Sequence, residues 1–156
     1  MGRLTLQIMS DIHLEFSRDD FDVKKVGNCI ALVGDIGIYS KSNYEYFLTK
    51  LSQIYDHVFV VAGNHEYYNQ EYHAANTEMS AICMPLDNVH FLQQSSFLYE
   101  DGTNHPVRIL GCTLWSNVPI SSKEIVSKCL NDYRTIRIQD GSIIRALTVD
   151  DTNSIP

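Results

Sequence analysis

Apolar and polar positions fall into two textures along this chain. In the first part, short apolar runs at 4–9, 29–33 and 57–61 are separated by polar stretches or by segments of helical period. Leu4-Thr5-Leu6-Gln7-Ile8-Met9, Cys29-Ile30-Ala31-Leu32-Val33 and His57-Val58-Phe59-Val60-Val61 read as strands. Between the second and third, residues 42–55 set Tyr44, Phe47, Leu48, Leu51, Ile54 and Tyr55 at helical spacing. After the third, 71–82 reads as a helix with Tyr72, Ala75, Met79 and Ile82 on one side. Strand, helix, strand, helix predicts an α/β fold with a parallel sheet and right-handed crossovers. The aromatic stripes read as core-packing faces.

From Asn88 the pattern breaks into shorter pieces. Val89-His90-Phe91-Leu92, Ser96-Phe97-Leu98-Tyr99 and Val107-Arg108-Ile109-Leu110 are split by turn chemistry, with Asp101-Gly102 as the turn signal, Pro106 closing the loop and His105 within it. This predicts an antiparallel hairpin over 96–112 that joins the sheet. Beyond Ser116 the sequence is less regular. A helix is expected over 122–130, and Asp150-Asp151-Thr152 resembles a helix start with no helix behind it. There is no internal repeat.

Length and charge then narrow the picture. A chain of 156 residues makes one domain. Its 44% apolar and 20% charged residues are those of a globular protein, and its net charge of −7 argues against a surface that grips nucleic acid backbones. A phosphorylated small substrate stays compatible, because bound divalent metals invert the local field. No apolar run approaches the ~18 residues of a membrane span, and no leader pattern is expected. Cys29, Cys83, Cys112 and Cys129 are widely spaced, without C-x-x-C, which points to a reducing, cytoplasmic location rather than a disulfide framework.

The chemistry lies where the strands run out. Asp11-Ile12-His13 follows the first, Gly34-Asp35 the second and Gly63-Asn64-His65-Glu66 the third. An open α/β sheet places its ligand site beyond the carboxyl ends of its strands, so these groups are expected to converge. On an extended backbone, Asp11 and His13 point the same way, as two ligands to one metal require. Asp35 adds a carboxylate able to bridge two metals, and Asn64 adds a neutral oxygen donor. Each motif alone also reads as a turn; together, in this order, they read as a metal site for phosphate ester hydrolysis.

At this point the sequence resembles the calcineurin-like metallophosphoesterase superfamily, with its D-x-H, G-D and G-N-H-[DE] motifs. The stretches Ser10-Asp11-Ile12-His13-Leu14-Glu15-Phe16, Val61-Ala62-Gly63-Asn64-His65-Glu66-Tyr67-Tyr68, Leu110-Gly111-Cys112-Thr113-Leu114-Trp115 and Asn131-Asp132-Tyr133-Arg134 are similar to its small bacterial-type phosphohydrolases. The resemblance implies a mixed sheet flanked by helices within an α/β/β/α sandwich. It implies two divalent metals (Mn, Zn, Fe or Ni), with Asp11 and His13 on the first, Asp35 bridging and Asn64 on the second. His65 would donate a proton to the leaving oxygen or stabilise the phosphoryl charge, tuned by Glu66, while hydroxide made from a shared water attacks in line. The substrate would be a phosphomonoester or phosphodiester, with a nuclease role disfavoured by the acidic charge balance.

The sequence departs from the family pattern after the middle. No histidine follows His105, and G-H-x-H is absent. His57, His73, His90 and His105 are not expected as ligands. The single domain over 1–156 therefore reads as the N-terminal half of the fold, a truncated phosphoesterase with impaired activity. The alternative is a catalytically silent metal-binding or interaction module. Either form is expected to expose apolar sheet surface around 107–114 and to associate with itself or with a complementing C-terminal fragment.

Overall fold

The structure, a computed structural model, describes residues 3–16, 21–100, 102 and 106–155. Four strands, β1 (Leu6–Met9), β2 (Cys29–Val33), β3 (His57–Val61) and β4 (Val89–Phe91), form one parallel sheet in sequence order. Helices α1 (Ser42–Ser52) and α2 (Tyr72–Cys83) follow β2 and β3. The helical stripes predict the packing. Tyr44, Phe47, Leu48 and Leu51 from α1 join Ala75 and Met79 from α2 against Ile30, Leu32, Val58 and Val60, all buried. The alternate residues of β2 and β3 face the other way, as the two-residue period of a strand demands.

That second face is covered by a hairpin rather than by helices. Strands β5 (Ser95–Tyr99) and β6 (Val107–Gly111) pair antiparallel as predicted, but they form their own two-stranded sheet and do not join the first. The cause is local. Gln94 takes a left-handed conformation (φ 50°), which turns the chain off the short edge strand β4. The hairpin then lies across the sheet, where Tyr99, Phe97 and Ile109 pack on Cys29, Ala31 and Phe59. Close approach depends on Gly111, where an added Cβ would stand 2.3 Å from the Leu92 Cβ. Asp101 and His105, in the predicted turn, lie outside the described residues.

The last part of the chain is more regular than its sequence suggests. Helix α3 (Lys123–Cys129) falls within the predicted 122–130, and a short helix α4 (Asp132–Thr135) follows. Strands β7 (Arg137–Asp140) and β8 (Ile143–Ala146) make an unpredicted hairpin turning at Gly141. The helix start at Asp150-Asp151 does have a helix, α5 (Val149–Ser154). Its capping box joins Thr148 and Asp151, and Asp151 also accepts two hydrogen bonds from Arg145 (2.7 and 2.9 Å). Ile136, Ile138, Leu147 and Val149 tie this region into the helix-side core.

Apolar surface remains on the hairpin side of the sheet. Leu6 and Ile8 of β1 align with Cys29 and Ala31 of β2, yet they escape the hairpin, and Ile8 is 65% exposed. Val33, Leu110 and Leu114 are exposed as well, Leu110 by 76%. Among the described residues, no helix is long and apolar enough to cross a membrane.

Between sheet and hairpin sits a pair of imidazoles. His57 Nδ1 lies 3.0 Å from His90 Nε2, with Phe59, Phe97 and Tyr99 around them. Burial pulls both below the ordinary histidine range, partly opposed at His57 by the Asp56 charge and reinforced at His90 by its partner. A base whose folded pKa is depressed contributes stability above its unfolded value, and that stability is lost as pH falls through the folded one. Urea midpoints should therefore fall as pH drops below about 6.5, the unperturbed histidine value. The double variant His57→Phe/His90→Phe should lose much of that dependence. An unchanged pH profile in the double variant would contradict this account of the pair.

Candidate metal centre

The three motif loops meet at the carboxyl ends of β1, β2 and β3. The loop after β1 runs alongside the loop after β2. Asp11, His13 and Leu14 amides donate to the carbonyls of Gly34 (3.1 Å), Asp35 (3.1 Å) and Ile36 (2.8 Å). Ligand atoms of Asp11, His13 and Asp35 fall within 4.8 Å of one another. The expected convergence is present, but its geometry is not that of an extended strand. Strand β1 ends at Met9, and Asp11 (φ 54°) and His13 (φ 50°) each occupy the left-handed region. Asp35 does the same (φ 53°). Such values are uncommon outside glycine, and backbone strain of this kind clusters at ligand and active sites.

Glu66 locks the β2 and β3 loops together. Its side chain is buried, 1% exposed. One carboxylate oxygen accepts from the amides of Ile36 (2.7 Å) and Gly37 (3.2 Å), the other from Asp35 (3.0 Å) and Gly63 (2.7 Å). Burial pushes its carboxyl above the ordinary carboxylate range, and the four amides draw it back. This corrects the role expected of Glu66. Its carboxylate is spent on backbone amides and does not tune the His65 ring. The two loops touch so closely that a Cβ on Gly63 would stand 2.1 Å from Asp35 Oδ1, and one on Gly34 would stand 2.9 Å from the Gly63 Cα. Only glycine fits this crossing.

Asn64 is held by its side-chain nitrogen. Its amide nitrogen donates to the Tyr68 hydroxyl (2.8 Å) and to Asp132 Oδ1 (3.0 Å), and the Tyr68 hydroxyl donates to the same Asp132 oxygen (3.0 Å). The Trp115 ring N–H donates to Asp132 Oδ2 (3.0 Å). Burial and then the Asp132 charge push the Tyr68 phenol up to about 12. With both amide protons directed inward, the Asn64 oxygen is the atom left for a cation. Asn64, Asp11, Asp35 and Asp132 line one cavity of about 660 Å³. Asp132 is 68 positions from Asn64, and the sequence carries no signal of that pairing.

His65 sits beside the Asp11–His13–Asp35 cluster and, with His13 and Glu15, makes a second group whose ligand atoms lie within 4.8 Å of one another. Its backbone amide donates to Asp35 Oδ1 (3.0 Å), and its ring stacks on Tyr68 (centroids 4.5 Å apart). Its Nδ1 lies 3.4 Å from Glu15 Oε1, and His13 Nδ1 lies 3.2 Å from the same oxygen. The donor set fits a divalent cation. It offers two carboxylates, an imidazole with Nδ1 engaged and Nε2 available, and an oriented amide oxygen. His57 and His90 lie under the hairpin and His73 on the exposed side of α2, so none joins this cluster.

The Glu66 lock makes a direct prediction. Glu66→Gln places an amide NH₂ against backbone donors and should destabilise the fold by roughly 3 kcal/mol, the scale of lost charge-assisted hydrogen bonds. Denaturant unfolding checks this, and a variant as stable as the wild type would refute the lock.

Comparisons with known proteins place the chain in a family. The calcineurin-like phosphoesterase family model matches residues 4–150. An uncharacterized protein of Acanthamoeba polyphaga mimivirus is 34% identical over 165 residues, spanning 95% of this chain and 57% of the viral protein. The crystal structure of a phosphopantetheinyl hydrolase from Mycobacterium tuberculosis superposes with a TM-score of 0.65 at 15% identity, over 85% of this chain and 54% of that one. The chain thus spans somewhat more than half the length of both proteins. Motifs, fold and the family match lead to one statement: this chain belongs to the calcineurin-like phosphoesterase family.

Proposed function

We propose that this chain is a phosphoester hydrolase domain built around two divalent cations, with Asp11 and His13 on the first, Asp35 shared and Asn64 on the second. The observation that carries this reading is the convergence of Asp11, His13 and Asp35 at the strand ends, their ligand atoms within 4.8 Å. When bound, the cations would polarise the phosphate oxygens and lower the pKa of a water for in-line attack. The chain's own residues organise the rest. The His65 amide tethers the Asp35 carboxylate, and Tyr68 and Asp132 aim the Asn64 oxygen. With its Nδ1–H facing Glu15, His65 would hold a second hydrogen on Nε2 when the ring is doubly protonated, and that is the hydrogen it would give to the leaving oxygen. Carboxylate, imidazole and amide donors without thiolate suit Mn, Zn, Fe or Ni. The substrate class is a phosphomonoester or phosphodiester, and the net charge of −7 weighs against nucleic acid.

A second reading, a metal-binding or interaction module without turnover, is favoured by one feature. For the second cation this site supplies Asp35 and Asn64, fewer donors than such metals take. The exposed apolar strip of Ile8, Val33, Leu110 and Leu114 offers a docking face for a complementing segment or a second copy, which would complete that shell. Turnover of an aryl phosphate with added Mn²⁺ separates the two readings.

Two variants test the assignments. Asp35→Asn should lose most Mn²⁺ affinity in a calorimetric titration, because it removes the charge both cations share; equal affinity in variant and wild type would sink the shared site. His65→Ala should keep its metal content while turnover drops 10²–10⁴-fold, the range for a lost general acid. Metal loss in parallel with activity would instead make His65 a ligand.

A further inference from the structure

We propose that Glu15 is the positioning residue for both imidazoles of the site, one carboxylate oxygen setting His13 toward the metal and His65 toward the leaving group. This rests on the hydrolase reading above and assigns work that the motif residues leave undone. Glu15 Oε1 is the shared acceptor, 3.2 Å from His13 Nδ1 and 3.4 Å from His65 Nδ1. The two rings meet edge to face with centroids 4.5 Å apart.

The carboxylate sits on a rigid base. Its turn, Leu14–Phe16, is pinned by the Leu14 amide to the Ile36 carbonyl (2.8 Å), and the Asn43 side chain of α1 donates to the Leu14 carbonyl (2.9 Å). The Glu15 side chain is 4% exposed, and its second oxygen is buried without a hydrogen-bond partner among the described residues. A buried carboxylate oxygen left unpartnered is costly, so stability alone does not account for Glu15. What the position achieves is orientation. An ionised carboxylate only accepts, so each Nδ1 facing it must carry the hydrogen. That fixes the tautomer of both rings. His13 is left with a lone pair on Nε2, as in the carboxylate–histidine–metal arrangement, and His65, held by its Nδ1–H, takes on Nε2 the second hydrogen that it would give to the leaving group. The metal side and the leaving-group side of the reaction are thereby held in register by one residue.

The test uses the full chain with Glu15→Ala and Glu15→Gln. Three readouts apply: long-range ¹H–¹⁵N NMR of the histidine rings in metal-free protein, Mn²⁺ titration, and para-nitrophenyl phosphate kinetics with kcat and KM separated. In the wild type, His13 should show the Nδ1–H tautomer, and His65 should carry a hydrogen on Nδ1 whether or not Nε2 holds the second one. Glu15→Ala should release both rings to mixed tautomers, weaken Mn²⁺ binding roughly 10–100-fold and lower kcat by a similar factor with KM little changed. Glu15→Gln retains an acceptor oxygen and should restore the tautomer and most of the Mn²⁺ affinity. Unchanged tautomers in Glu15→Ala would overturn the proposal. So would loss of all Mn²⁺ binding in both variants, which would make Glu15 a metal ligand. If Glu15→Ala does not fold, the wild-type tautomers decide: either ring in the Nε2–H form refutes the shared acceptor. A wild type that binds Mn²⁺ but never turns over would count against the hydrolase reading, while the tautomer and titration arms still decide Glu15.

Discussion

The site depends on four backbone amides that share one buried carboxylate. The Asp35, Ile36, Gly37 and Gly63 amides project from two loops that have left their strands and pair with no strand neighbour. Buried amides without acceptors would cost about 1–3 kcal/mol each. Glu66 satisfies all four from a single side chain, and in doing so fixes the spacing between the ends of β2 and β3. The contact of Gly34 with Gly63, the seat of Asp35 and the entry into the Asn64–His65 turn all follow from that spacing. The ligand platform is therefore a property of backbone hydrogen bonding before it is one of ligand side chains.

Upon that platform the chain holds three polar residues in conformations they do not prefer. Asp11, His13 and Asp35 each carry a positive φ, at about 1 kcal/mol or more apiece. The ladder of amide-to-carbonyl bonds from the β1 loop to the β2 loop over-determines these angles, so the strain persists. Two of the three are carboxylates that repel each other when ionised at close range. A cation among them would relieve that repulsion, and their ligand atoms lie within 4.8 Å of the His13 ring's. The hairpin contributes at a distance. By stacking on the sheet it buries Phe59 and brings Thr113, whose hydroxyl donates to the Ala62 carbonyl (2.6 Å), against the start of the third motif.

The parallel sheet was legible because its signals are local and periodic. The apolar runs at 29–33 and 57–61 coincide with β2 and β3, and the stripes of Tyr44, Phe47, Leu48 and Leu51 mark the buried face of α1. The convergence of Asp11, His13 and Asp35 was legible from strand-end placement. What escaped depended on direction and on distance in sequence. The left turn at Gln94, which stacks the hairpin instead of adding it to the sheet, has no glycine to announce it. The β7–β8 hairpin did have its signal, an Asp140-Gly141 turn between Ile138 and Ile143, hidden in a polar context. Glu66 took its expected role from the family resemblance, whereas its carboxylate accepts from four backbone amides of the loops. Glu15 reaches His65 across 50 positions and Asp132 reaches Asn64 across 68, and no motif spacing encodes those two contacts.

The central claim is that the strand ends form a divalent-metal centre on Asp11, His13, Asp35 and Asn64. Crystals soaked in Mn²⁺ and measured for anomalous scattering test it most directly. The account predicts a peak bonded to Asp11, His13 and Asp35, with any second peak between Asp35 and Asn64, about 3.5–4 Å away as in two-metal sites. Mn²⁺ found only elsewhere on the surface, with the Asp35 carboxylate unligated at saturating metal, would contradict it.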